Sequence, residues 1–275
     1  VIAMKKSPMN KIHVIALACL LTLGACKTDG SLEDPANSLL GMKDETEAHE
    51  IKAAEDALAS GNTKDALELF RVVHEKKPKN AKITLRYAQL LRRNGNPKAA
   101  AAILSRHTVD MMGNPKTGAS PAMLVELAAA DIALGDFNGG EKALNAVLED
   151  QKASALHTEA YNMMGVVLDA KGQHKDAEDM YHQALAGWKG NPASVMNNLA
   201  LSLANQGLFD QSLTTLRKAL VIAPDKQEVA RNIQIVSDLR DNIVPAAPKG
   251  VVRKVVTPKL KAKPAACSPC PPGQL

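Results

Sequence analysis

Two hydrophobic patterns divide the chain. From Val14 to Ala25 the apolar residues are nearly continuous ("VIALACLLTLGA"), whereas from about residue 47 to residue 224 they recur at helical spacing. A helix brings positions three and four apart onto one face, so the second pattern predicts a succession of amphipathic helices. Glycines interrupt it at Gly61, Gly95, Gly135, Gly172 and Gly207, which lie 34, 40, 37 and 35 residues apart. Glycine adopts the left-handed backbone of a tight helix end at little steric cost, so each marks the turn of a helix hairpin.

Side-chain size is fixed at set distances from those glycines. Seven residues before them stand Ala54, Ala88, Ala128, Gly165 and Ala200; five after stand Ala66, Ala100, Gly140, Ala177 and Ser212. All are small, which lets paired helices approach closely. Nine after stand Phe70, Leu104, Leu144, Tyr181 and Leu216, all large enough to fill the space between neighbouring hairpins. Pro78 and Pro224 end the second helix of the first and fifth units. Beyond Pro224, "DKQEVARNIQIVSDLRDN" opens with Asp225 and Glu228 at capping-box spacing and places Val229, Ile233 and Val236 on one face. Residues 225–242 are therefore expected to form a capping helix, since the last hairpin of a stack would otherwise expose an apolar face.

This pattern resembles the tetratricopeptide repeat over about residues 47–224. "AYNMMGVVLDAKGQHKDAEDMYHQAL" and "MNNLALSLANQGLFDQSLTTLRKALVIAP" match best. The resemblance implies an all-α solenoid of about five helix hairpins plus the C-terminal capping helix, with the first helix of each hairpin lining a concave protein-binding surface. The second and third units depart from it: the proline expected near Met112 is absent, and "GNPKTGASP" makes a longer connector. Counted from the turn glycines, the inward-facing candidates are Arg86, Gln89, Arg92 and Arg93 in the second unit, then Glu159, Asn162, Asp169, Asn197 and Asn205 in the fourth and fifth. Asn162 and Asn197 occupy one repeat position, where related arrays hold the backbone of a bound peptide. An amide donates and accepts, so it reads an extended chain without demanding a sequence. The three arginines would meet a carboxylate or an acidic segment. The bland alternative is an ordinary solvated polar face.

The continuous apolar run follows Lys5, Lys6 and Lys11. At about twelve residues it is shorter than the roughly 20 a membrane-spanning helix needs, and residues 1–25 read as a removable secretory signal. Leu23-Gly24-Ala25-Cys26 resembles the lipobox of bacterial lipoproteins. That resemblance implies cleavage before Cys26 and acylation of its sulfur and new amino terminus, palmitate among the chains; several acyl chains anchor durably where one binds marginally. Lys27 after the cysteine implies the outer membrane, with the protein facing the periplasm, and residues 26–46 are a polar tether. The alternative is a plain signal peptide with an incidental cysteine.

Charge and cysteine content narrow the chemistry. The formal charge is +5, yet the segments before Cys26 and after Asn242 carry +3 and +6, leaving −4 for residues 26–242. The basic total is therefore no argument for nucleic acid. Residues 243–275 form a basic, Pro-rich tail, expected to be disordered, which would dock on anionic lipid or an acidic partner, or simply stay soluble and extended. The four cysteines are Cys19, Cys26, Cys267 and Cys270, so none can staple the middle of the chain. "CSPC" at Cys267 to Cys270 resembles a thioredoxin-like redox pair, but its segment has no room for a βαβ unit; a short disulfide loop or two free thiols is the plainer reading. The histidines lack a metal-binding spacing, the nearest approach being His174 and His182, two helical turns apart with the first at the turn, and no phosphate loop or nucleophile elbow appears. Neither cofactor, metal, small-molecule substrate nor catalysis is expected.

Lipobox, five repeat units, capping helix and basic tail together resemble the TadD-type lipoproteins of Flp (tight adherence) pilus assembly. That likeness implies a non-catalytic scaffold at the outer membrane, with the pilus secretin or its assembly proteins as partners. Two alternatives stand beside it: a repeat adaptor for cell-wall hydrolases or another export system, and a periplasmic thiol oxidoreductase using Cys267 and Cys270.

Overall fold

The computed structural model describes residues 45–243. Eleven α-helices are found among them. They are α1 (Glu45–Ala59), α2 (Thr63–Lys76), α3 (Ala81–Arg93), α4 (Pro97–Thr108), α5 (Pro121–Leu134), α6 (Phe137–Glu149), α7 (Ser154–Ala170), α8 (His174–Gly187), α9 (Ala193–Asn205), α10 (Phe209–Ile222) and α11 (Gln227–Ile243). The first ten pair into five hairpins, as the glycine spacing predicts, and α11 lies against α10 and α9. No described helix is long and apolar enough to cross a membrane.

The hairpin turns obey the local chemistry. Gly61, Gly95, Gly135, Gly172 and Gly207 all have φ between +77° and +80°. A Cβ at any of them would meet nothing within 4 Å, so backbone conformation and not crowding selects glycine. In the first three units a polar side chain then starts the second helix: Asn62, Asn96 and Asp136 accept from the backbone N–H of Asp65, Ala99 and Gly139. In the fourth and fifth units Gln173 and Leu208 stand in that place and provide no side-chain cap.

Packing follows the size pattern. Phe70, Leu104, Leu144, Tyr181 and Leu216 are all buried, and the small positions meet them: Ala54, Ala88, Ala128 and Ala200 are fully enclosed. At Gly165 even a methyl group is too much, because a Cβ there would lie 2.5 Å from the Tyr181 ring. Pro78 and Pro224 follow the ends of α2 and α10 as expected. Val229 and Val236 of α11 are buried and Ile233 packs beside them, closing the cluster of the fifth unit. The capping box, however, is not made. Asp225 has no side-chain hydrogen bond among the described residues; the residue before α11 is Lys226, whose Nζ donates to Ser194 Oγ at 2.8 Å.

Contacts between units set the curvature. Each second helix packs on the next first helix, and first helices also touch one another in the pairs α3–α5, α5–α7, α7–α9 and α9–α11. No two second helices among the described residues meet to a comparable extent. The array therefore bends towards its first helices, which line the inner face. Helix α5 is enclosed on most sides, giving Leu124, Val125, Ala128 and Ile132 to one apolar cluster and Met123, Leu127 and Ala130 to another.

Candidate protein-binding surface

The inner face is built from side chains that reach from one first helix to the next. In the second unit Arg86 donates through Nε and Nη2 to both carboxylate oxygens of Glu55 on α1, at 2.7 and 2.5 Å. Arg92 does the same to Glu126 on α5, at 2.5 and 3.2 Å. Both pairs are shielded, with Glu126 only 7% exposed. A bidentate guanidinium–carboxylate pair fixes both groups, so neither Arg86 nor Arg92 is free to receive an acidic ligand. Of the three arginines expected to do that, only Arg93 is exposed and without an ion pair among the described residues. Gln89, half-buried, likewise makes no side-chain hydrogen bond there.

Across the rear of the face the pairs are amides. Asn198 Nδ2 donates to Asn162 Oδ1 at 3.2 Å, and Asn232 Nδ2 of α11 donates to Asn197 Oδ1 at 2.8 Å. Asn162 and Asn197 are each 7% exposed, and with their oxygens engaged their Nδ2 donors have no partner among the described residues. Asn205 contributes the opposite polarity: its Oδ1 is buried and accepts nothing among the described residues. Spare donors at a protein surface are what the carbonyls of an extended peptide backbone would satisfy, whereas the Asn205 oxygen lies beneath the surface.

Asp169 has another role than the one its position predicts. Its carboxylate accepts from Tyr181 Oη at 2.9 Å and Ser202 Oγ at 2.8 Å, and lies 2.8 Å from His174 Nδ1. Three elements, α7, α8 and α9, converge on it. It is the knot of the fourth and fifth units and offers no free oxygen to a ligand. The same bond accounts for His174; His182 lies exposed, 3.9 Å from Glu178.

Between the two polar stretches runs an apolar seam. No side-chain hydrogen bond or ion pair joins α5 to α7 among the described residues; Val125, Met163 and Val166 pack there within one cluster. Glu159 stands at its edge, open to solvent but walled by protein. Burial first and the Glu126 carboxylate second push the Glu159 carboxyl up, against the opposing pull of Arg92 and Arg93.

Reading each helix by itself misses the partners. Arg86, Glu126 and Asn198 all stand nine residues before a turn glycine and all reach back to the preceding unit. The fourth unit has Met163 at that position, which is why the seam falls there. Cys26, Cys267 and Cys270 lie outside the described residues, and among those described no three His, Cys, Asp or Glu gather as metal ligands would.

Comparison with known proteins fits this geometry. Family models described as tetratricopeptide repeat match residues 57–116, 125–192 and 162–226, together more than half of the chain. Among solved structures, the chain is similar to a thermophilic repeat protein of this type from Thermus thermophilus, at 19% identity and a TM-score of 0.54, covering 70% of this chain and 98% of that one. It is similar to a tetratricopeptide repeat protein from Parabacteroides merdae, at 16% identity and 0.53, covering 71% and 74%. The APC/C hetero-tetramer Cut9–Hcn1 gives 16% identity and 0.60 over 75% of this chain and 39% of that one. At these identities the likeness concerns the fold alone. A search of curated proteins gives no match.

Proposed function

We propose a function from one premise: the chain belongs to the tetratricopeptide-repeat family, whose units are protein-interaction modules and whose scaffolds are generally non-enzymatic. The protein is a scaffold that holds an extended segment of a protein partner along the inner face of its fourth and fifth units. The observation that carries this reading is the pair of Nδ2 donors on Asn162 and Asn197 that no described residue engages, in register on consecutive first helices. Asparagines so placed select for backbone, not side chains.

The finer reading rests on the sequence. A lipid on Cys26 would tether the array to the outer membrane, facing the periplasm, and the likeness to TadD-type lipoproteins points to Flp pilus assembly, with the secretin or its assembly proteins as partners. Two measurements test it separately. Membrane fractionation of a Cys26→Ala chain should show release; partitioning like wild type overturns the anchor. Affinity capture from solubilised envelope should recover pilus assembly components, and recovery of cell-wall hydrolases without them would replace the pilus reading with the adaptor reading.

A further inference from the structure

The spacing from Gly95 to Gly135 exceeds that from Gly61 to Gly95 by six residues, and the longer connector forms a knuckle between α4 and α5. The backbone N–H of Gly113 donates to the Asp110 carbonyl at 3.1 Å, which makes Met111 and Met112 the two corner residues of a reverse turn. The turn is tied several times over. Asp110 Oδ1 accepts from the N–H groups of Met112 and Asn114 at 2.8 and 2.9 Å, and Asp110 N–H donates to the Asn114 carbonyl at 2.9 Å. At its base Val109 bridges Pro115, Lys116 Nζ donates to the Arg106 carbonyl at 2.9 Å, and Lys142 Nζ donates to Asn114 Oδ1 at 3.2 Å. None of these bonds involves a methionine side chain. Met111 is 105% exposed and Met112 80%, whereas Met123, Met163 and Met164 are 2%, 6% and 5% exposed.

We propose that Met111 and Met112 are a solvent-facing modification site, at which peroxide-class oxidants convert both thioethers to sulfoxides while the array stays folded. The thioether sulfur attacks one peroxide oxygen, the O–O bond breaks, and the departing hydroxide takes the remaining proton to leave as water. Sulfur is oxidised by two electrons and peroxide is reduced by two. Access to the sulfur controls this step, and only the knuckle grants it in full among the described residues. The product is polar where the thioether was apolar, so the chemistry rewrites the surface of the tip and leaves the bonds that hold the turn untouched. The same oxidation in the core would instead break packing.

The experiment treats the folded full chain with dilute hydrogen peroxide and follows each methionine by peptide mass spectrometry, with circular dichroism and thermal melting on the same samples. Met111 and Met112 should oxidise about ten-fold or more faster than Met123, Met163 and Met164, with the melting transition unmoved and the mass gain reversed by methionine sulfoxide reductases. In urea the five rates should converge. A Met111→Leu, Met112→Leu chain should melt like wild type and keep its core methionines protected. Equal rates in the folded chain, or a melting point that falls as the tip oxidises, would overturn the proposal.

Discussion

The front and rear of the inner face solve one problem with different chemistry. Units one to three are joined by bidentate ion pairs, Arg86–Glu55 and Arg92–Glu126, and their second helices start on polar caps. From unit four onward the first helices are joined through amides, Asn198–Asn162 and Asn232–Asn197, the second-helix caps are gone, and the Asp169 carboxylate gathers three side chains instead. The front pairs Arg86 and Arg92 with its own carboxylates and leaves Arg93 over, whereas the rear leaves amide donors over. On the proposed reading, cohesion and recognition are separated along the array, with ligand holding assigned to the rear half.

The largest expected effect tests cohesion in the rear. Gly165→Ala would set a Cβ 2.5 Å from Tyr181 Cε1 and 2.8 Å from Cδ1 and Cζ, against a rigid ring whose hydroxyl is committed to Asp169. Overpacking of this kind costs about 3 kcal/mol, visible as an earlier urea midpoint and as hydrogen exchange that quickens in α7 to α10 before the front. Wild-type stability would show that the Asp169 knot is dispensable. The front counterpart is Glu126→Gln, which leaves the Arg92 guanidinium shielded beside a neutral amide. Breaking a buried pair from one side is costly, and with partial solvent access the loss should be about 2 kcal/mol. Partner capture should be unchanged at a temperature where the variant is folded; its loss would move recognition into the ionic half.

Much of this division was invisible in the sequence for a physical reason. Turn glycines and the small and large positions around them were legible because each answers a steric demand repeated inside every hairpin. Arg86 and Arg92 looked like free cations because the carboxylates that neutralise them lie 31 and 34 residues away, on neighbouring first helices. Their pairing depends on how units rotate against one another, which periodicity does not encode. Asp169 was placed on the inner face by register, yet Tyr181 and Ser202 claim it from α8 and α9. The capping helix was legible from Val229, Ile233 and Val236, whereas its expected Asp225 cap yielded to a start at Gln227. The long connector announced itself by its length, but not the tied turn within it.

A smaller effect belongs to the third unit, at the turn of its hairpin. The Asp131 carboxyl is half-buried without a hydrogen bond among the described residues, and burial first and Asp136 second push it up to about 7 from an ordinary 3.8. A carboxyl that holds its proton more tightly folded than unfolded costs stability progressively as pH rises between those two values. The cost is complete above about 7 and absent well below 3.8. Asp131→Asn should therefore stabilise by about 1 kcal/mol at pH 8, after discounting for solvent access, and by nothing at pH 3. An equal gain at both pH values would mean the substitution acts through packing, not through the charge of Asp131.

A small effect on stability should accompany the largest on binding. In an Asn162→Ala, Asn197→Ala chain each substitution removes one acceptor that a neighbouring asparagine can replace with water, so each should cost about 1 kcal/mol or less. The same change removes both spare Nδ2 donors from the rear face, and capture of the partner should fall well below wild type while Arg93→Ala, in the ionic half, lowers it less. The contrast is sharp because both chains keep the Arg86–Glu55 and Arg92–Glu126 joints, so a difference in capture cannot come from loosening the front. Undiminished capture by the double variant would show that the amide joints, like the ionic ones, serve only to hold the array together.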